Sequence, residues 1–253
     1  IPMRLCVPIP CFFGDMDFCE GLRRVKALGF DAAETYNWKG LDFDAVRRTC
    51  EETGVELLSM CTSEFRMTDP VFRQAWLDGL EESCQAANRM GVKQLITQVG
   101  QDTGAPREQQ HAAIVETLNL ARPILEKSGV TIMLEPLNTL VNHPGYYLWS
   151  AVEGFEIIHE VNHPLVKLVY DIYHQQVMEG NIIPNITKNL DCIAHLHSAG
   201  HPGRNELQYG ENDYKVIFAA VDKAGYTGAC GLEYRPLMDP EESLREAMRL
   251  YGK

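Results

Sequence analysis

Runs of lysine and arginine are missing from this sequence, and acidic residues outnumber basic ones 35 to 23, for a formal net charge of −12. A surface of that sign repels phosphate backbones, which argues against a nucleic-acid partner. A small anionic substrate stays admissible, because one metal ion and one arginine outweigh a diffuse charge at a distance. No pair among the eight cysteines has C-x-x-C spacing, and several lie in apolar stretches such as Arg4-Leu5-Cys6-Val7. They read as reduced, mostly buried thiols of a cytoplasmic protein, not as a disulfide framework. No apolar run approaches membrane length and no charged-then-apolar leader is present, so no membrane partner is expected. Linkers and low-complexity tracts are also missing, which points to one domain over residues 1–253.

What is there is ordinary globular material. Hydrophobic residues make up 45% and charged residues 23% of 253 residues, enough for a sizeable core and close to the size of one (β/α)8 barrel. Short β-type runs recur at Met3–Val7, Asp31–Thr35, Glu56–Met60, Gln94–Gln98, Thr131–Glu135, Val166–Tyr170, Cys192–His197 and Ala229–Glu233. Each is followed by a longer amphipathic segment, the alternation of parallel βα units. Eight units without a long interruption favour a closed α/β TIM barrel over an open doubly wound sheet.

The helical segments carry start and stop signals. Asp42 is placed to cap a helix that runs through Val46 and Cys50 and stops at Gly54. Asp69-Pro70 opens another, whose Phe72, Trp76, Leu80, Cys84, Ala87 and Met90 recur every three to four residues before Gly91. A third is expected over residues 107–128, with Pro123 predicting a kink or a split. Residues 212–224 and 241–251 supply the last two. The aromatic and methionine stripes on these helices fit core packing, not a cofactor box.

In such a barrel the reactive groups project from the C-terminal ends of the strands. Four consecutive late strands end in a strong metal ligand: Glu135, Asp171, His197 and Glu233. Their spacings of 36, 26 and 36 residues are each about one βα unit, so the four fall on neighbouring strands and can converge. A single acidic residue at a strand end is usually a helix cap or an ion-pair partner, but four ligand types at four successive strand ends are hard to ascribe to capping. Three carboxylates and one imidazole suit one divalent ion, Mn2+, Mg2+ or Co2+, better than a thiolate-selected structural zinc. By strand alternation His195 shares the inward side with His197 but sits deeper, and reads as a core histidine. His143, in Asn142-His143-Pro144-Gly145, either lines the pocket or braces a turn.

The run Tyr170-Asp171-Ile172-Tyr173-His174-Gln175-Gln176, followed by Met178-Glu179-Gly180-Asn181, resembles the hydroxypyruvate isomerase family of the xylose isomerase-like barrel superfamily. Glu135-Pro136-Leu137-Asn138, Asn142-His143-Pro144-Gly145-Tyr146, Pro202-Gly203-Arg204-Asn205-Glu206, Gly210-Glu211-Asn212-Asp213-Tyr214 and Gly231-Leu232-Glu233-Tyr234 extend the likeness over roughly residues 130–235. The resemblance implies that Glu135 and Glu233 serve both as metal ligands and as the acid/base pair on opposite sides of the substrate. It further implies a dimer or tetramer, and a role for His174 in hydrogen-bonding a substrate oxygen. Arg204 is expected to bind a substrate carboxylate or hydroxyl, and Glu206 to orient Arg204 or touch the substrate.

The reaction expected is isomerisation of hydroxypyruvate or a related small keto acid or sugar through an enediolate, with two carboxylates in different protonation states. Ketose 3-epimerisation uses the same four ligands, and solvent deuterium exchange without movement of the carbonyl discriminates it. A non-catalytic barrel that binds a sugar acid through the metal would not need both glutamates. An endonuclease-IV-like reading needs further ligands at the early strand ends, where the sequence offers only Glu34, Cys61 and Gln98.

Overall fold

Each of the eight β-type runs forms a strand in a computed structural model that describes residues 2–252. The strands are β1 (Arg4–Pro8), β2 (Ala32–Glu34), β3 (Glu56–Cys61), β4 (Gln94–Thr97), β5 (Thr131–Leu134), β6 (Val166–Asp171), β7 (Ile193–Ser198) and β8 (Ala229–Leu232). All pairs are parallel and follow chain order, and β8 pairs with β1 to close the barrel. Ten helices surround or cap it: α1 (Ile9–Phe12), α2 (Phe18–Ala27), α3 (Phe43–Thr53), α4 (Arg73–Met90), α5 (Arg107–Ser128), α6 (Ala151–Val161), α7 (Ile172–Met178), α8 (Ile182–Thr187), α9 (Tyr214–Lys223) and α10 (Pro240–Tyr251). Among the described residues no helix is long and apolar enough to cross a membrane.

Local chemistry sets the helix limits. The Asp42 carboxylate accepts from Ala45 N–H at the start of α3, and Gly54 ends it in the left-handed region at φ 74°, where a Cβ would be strained. Asp69 caps a short 3-10 turn at Pro70–Phe72 that runs into α4. Pro123 does not split the third segment: α5 is continuous from Arg107 to Ser128. Proline removes the bond to the carbonyl four residues earlier and crowds that carbonyl, and here both Pro123 and Asn119 lie on the exposed side of the helix, where the carbonyl can tilt out to water.

The main core lies between the sheet and the helices. Strand residues such as Leu57, Leu95, Ile132, Leu168 and Leu232 pack there against Trp76, Leu80, Ile114, Leu118 and Phe218. Inside the barrel two small apolar clusters remain, Cys6 with Ala32 and Ala229, and Ile96 with Met133 and Val169. The interior also holds an entirely buried polar group made of Glu34, Ser59, His195 and His197. Small residues in one cluster leave volume for those imidazoles and that carboxylate. All eight cysteines are free thiols.

Candidate active site

Strand register brings the late strand ends together. Asp171 is the direct partner of His197 across β6 and β7, and His197 is the partner of Gly231 across β7 and β8, two residues before Glu233. Glu135 follows β5, its N–H bonded to Thr97 O and its carbonyl accepting from the buried Tyr146 hydroxyl. Glu135, Asp171, His197 and Glu233 each offer a ligand atom, and these atoms all lie within 4.8 Å of one another. His197 Nδ1 stands 3.3 Å from Glu135 Oε2, 3.2 Å from Glu233 Oε2 and 3.8 Å from Asp171 Oδ2. Ligands about 2.0–2.2 Å from one divalent ion stand about 3–3.6 Å apart, so the two glutamates stand at ligand spacing from His197 Nδ1 and Asp171 lies slightly farther out.

Asp171 fills two roles at once. Its Oδ1 caps α7 by accepting from His174 N–H at 3.0 Å, while Oδ2 faces the cluster. The cap and the ligand reading are therefore compatible, because a carboxylate has two oxygens.

Charge balance in the cluster also favours a cation. Burial pushes the Glu135 carboxyl up to about 7, and the neighbouring Glu233 adds to this against the pull of His197. Burial disfavours charge on His197, yet Glu233, Glu34 and Glu135 outweigh it and hold the ring's pKa well above the ordinary imidazole value. The protein alone thus answers its carboxylate crowding by retaining protons. A divalent ion could answer the same crowding by displacing them.

The two glutamates differ in their company. Glu233 accepts from the Tyr36 hydroxyl at 2.9 Å on Oε2 and from Arg204 Nη2 at 2.5 Å on Oε1. Among the described residues Glu135 has only His197 as a side-chain hydrogen-bond partner. Arg204 has left-handed backbone at φ 57°, which costs a non-glycine residue roughly 1–2 kcal/mol and is seen most often where a side chain must be aimed. Its guanidinium also lies over the Tyr173 ring at 5.1 Å, a cation–π contact.

His174 is buried, and its tautomer follows from its neighbours. Asn138 uses its side-chain oxygen to accept from Val141 and Asn142 N–H, so its amide nitrogen is the group that donates to His174 Nδ1 at 2.8 Å. The backbone N–H of Asn138 points at the same Nδ1 at 3.2 Å. With Nδ1 accepting, the proton sits on Nε2, which has no hydrogen-bond partner among the described residues. Burial, and then the charge of Arg204, push the His174 pKa well below the usual imidazole range. The ring is a neutral N–H donor beside the cluster.

A cavity of about 810 Å3 opens over these groups, and Glu135, Glu233, His174, Arg204 and His143 all line it. His143 does both things proposed for it: its ring meets His174 edge-on at 5.4 Å, while its backbone closes the turn to Asn138 and Tyr146. Glu206 is placed otherwise than expected. It is fully buried, its carboxylate accepts from Leu237 and Met238 N–H, and it forms no ion pair with Arg204 among the described residues. The loop after β8 leaves those two N–H groups without backbone partners, and a buried carboxylate satisfies both.

The loops after the early strands, residues 34–38 and 63–67 among them, are expected from the sequence to help form the substrate pocket, and residues of both line the cavity. Tyr36, Asn37, Trp38 and Lys39 after β2, Phe65 after β3 and Arg235 after β8 all line the cavity. Trp38 is fixed by its indole N–H bond to Cys61 O at 2.9 Å. The aromatic cluster directly after a strand end was the available signal. Glu34 ends β2 in contact with His195 and His197.

A family model described as xylose isomerase-like TIM barrel matches residues 22–253. The hydroxypyruvate isomerase of Escherichia coli (strain K12) is 28% identical over 252 residues, covering 96% of this chain and 97% of that protein. A 2-oxo-tetronate isomerase of Cupriavidus necator is 36% identical over 132 residues, covering 52% of this chain and 50% of that one. A solved structure from Brucella melitensis, described as AP endonuclease, family 2, superposes with a TM-score of 0.91 at 25% identity, covering 99% of both chains. With a closed eight-stranded barrel and nearly its whole length matched, the chain belongs to the xylose isomerase-like TIM barrel family.

Proposed function

We propose that this isomerase acts on a short 2-keto acid of the hydroxypyruvate or four-carbon kind, with one divalent ion held by Glu135, Asp171, His197 and Glu233. The observation that carries the reading is the pair of glutamates that share His197 Nδ1 while differing in every other partner. The names of the relatives supply the substrate class. A nuclease role gains nothing from the net charge of −12 or from a concave cavity sized for a small molecule.

Interconverting hydroxypyruvate and tartronate semialdehyde removes a proton from C3 and returns one to C2, while the hydroxyl proton moves from the C3 oxygen to the C2 oxygen. The enediolate between them forms when a group takes the C3 proton and collapses when a proton is given to C2, and the two glutamates can divide these roles. Glu233, accepting from Tyr36 and Arg204, is suited to the unprotonated role. Glu135, which meets His197 but no such donors among the described residues, is suited to exchange a proton with the substrate. A bound divalent ion would supply electrophilic stabilisation of the developing oxyanion charge. His174 Nε2–H donates toward a substrate oxygen, and Arg204 can exchange its bond with Glu233 for a bidentate bond to the substrate carboxylate.

The test is an assay on hydroxypyruvate and C4 keto acids with added Mn2+, Mg2+ or Co2+, with products followed by NMR. Activity is expected to disappear on chelation and to fall by roughly 10²–10⁴-fold in Glu135→Gln and Glu233→Gln. Turnover that survives both chelator and Glu233→Gln would overturn the mechanism.

A further inference from the structure

Glu34 is a carboxylate with no exposed surface in the middle of a barrel. An isolated charge there costs several kcal/mol, so its partners must be specific. Oε2 accepts from Ser59 Oγ and from His195 Nε2, each at 2.8 Å. Oε1 stands 2.8 Å from His197 Nε2, close enough for an ion pair although the N–H axis is bent away from a good hydrogen bond.

Strand β8 is shaped around this pair. A Cβ on Gly231 would lie 2.2 Å from Glu34 Oε1 and 2.7 Å from His197 Cδ2, both well inside van der Waals contact. Glycine is therefore required where Glu34 meets His197. The two nitrogens of His197 are divided between two environments: Nε2 faces Glu34, and Nδ1 faces Glu135, Asp171 and Glu233.

We infer that Glu34 is the positioning residue of the cation site, holding His197 with its proton on Nε2 and its Nδ1 lone pair directed at the ion. This rests on the metal reading proposed above. A carboxylate behind a ligating imidazole fixes its tautomer and orientation and strengthens it as a donor, and losing such a partner costs about 10- to 100-fold in metal affinity. Glu34 is 163 residues from His197 in sequence and lies on β2, so the first half of the barrel sets the affinity of a site whose ligands all come from the second half.

The experiment measures Mn2+ affinity of the whole chain by titration calorimetry in wild type, Glu34→Gln, His197→Gln and the double variant, with circular dichroism as the check on folding. Glu34→Gln keeps the volume and the Ser59 partner while removing the charge. It is expected to bind Mn2+ about 10- to 100-fold more weakly, and to add nothing further in the His197→Gln background, since Glu34 acts through that ring. Unchanged affinity in Glu34→Gln, or a full additive loss in the double variant, would overturn the inference. If wild type itself takes up no Mn2+, Mg2+ or Co2+, the metal reading falls first. Should Glu34→Gln fail to fold, the imidazole 15N resonances of wild type loaded with diamagnetic Zn2+ decide: Nε2–H on His197 supports the assignment, and Nδ1–H refutes it.

Discussion

Tyr36 and Arg204 both donate to Glu233, but only Arg204 is proposed to have a second task at the substrate, so their loss should be distinguishable. Tyr36→Phe removes one hydroxyl and leaves the mostly buried Glu233 carboxylate with one donor fewer. Hydrogen bonds to charged groups contribute about 1.5–3 kcal/mol, so kcat is expected to fall on the order of tenfold or more, with KM little changed, in steady-state assays on the proposed keto acid. A rise in KM with kcat preserved would place Tyr36 against the substrate instead. At this scale the sequence was legible where chemistry follows a period. Glu135, Asp171, His197 and Glu233 recur at one βα unit each, and the folded chain brings them together. Glu34 obeys the same strand-end rule, but its meaning depends on His195 and His197 across the barrel, and nothing local distinguishes it from a helix cap. Glu206 shows the reverse: it lies near Arg204 in sequence, yet its burial is explained by two backbone N–H groups some thirty residues away.

Elements were legible when long and regular. All eight strands lie within a residue or two of the β-type runs, and α3, α4 and α5 end at their glycines. The short helices α1, α7 and α8 were not anticipated, because four to seven residues carry too little periodicity to register; Asp171 as a strand-end ligand gave no hint that it also starts α7. Between α5 and α6 sits a clamp with a pH signature. His111 on α5 places Nδ1 2.9 Å from Glu153 and Nε2 2.8 Å from Glu160 on α6. Both nitrogens can donate only in the imidazolium. Burial opposes that charge, but the two carboxylates outweigh it and raise the His111 pKa. A raised folded pKa means the stabilisation is complete below the unfolded value of about 6.5 and is lost as pH rises through the folded one. Urea unfolding of wild type and His111→Gln, from about pH 5.5 to about pH 8.5, is expected to differ on the order of 1 kcal/mol at the acid end and to converge at the alkaline end. A gap that widens with pH would contradict the clamp.

Closure of the barrel makes β1 and β8 neighbours and lets the two halves of the chain meet at one point. The four proposed ligands lie at the ends of β5 to β8, while Glu34, which meets His197, ends β2 and Tyr36, which donates to Glu233, follows it. A cation bound there would therefore tie together segments that separate only on global unfolding, and its binding free energy should appear as stability of the whole molecule. At a free concentration about 100 times its Kd the ion contributes about 2.7 kcal/mol. For a chain of this size that converts to roughly 2–4 °C in Tm for each kcal/mol, or about 5–11 °C in all. Differential scanning calorimetry with Mn2+ and then with excess chelator measures it directly. The shift should vanish in His197→Ala, whose ligand is gone, and in Glu34→Gln should require more Mn2+ to reach the same height. Because carboxylate crowding is relieved by protons when the ion is absent, the shift should also shrink as pH falls below about 7, where Glu135 keeps its proton and competes with the metal. A Tm indifferent to Mn2+, Mg2+ and Co2+ alike would remove the ion from the site and leave the proton-sharing cluster as its resting form.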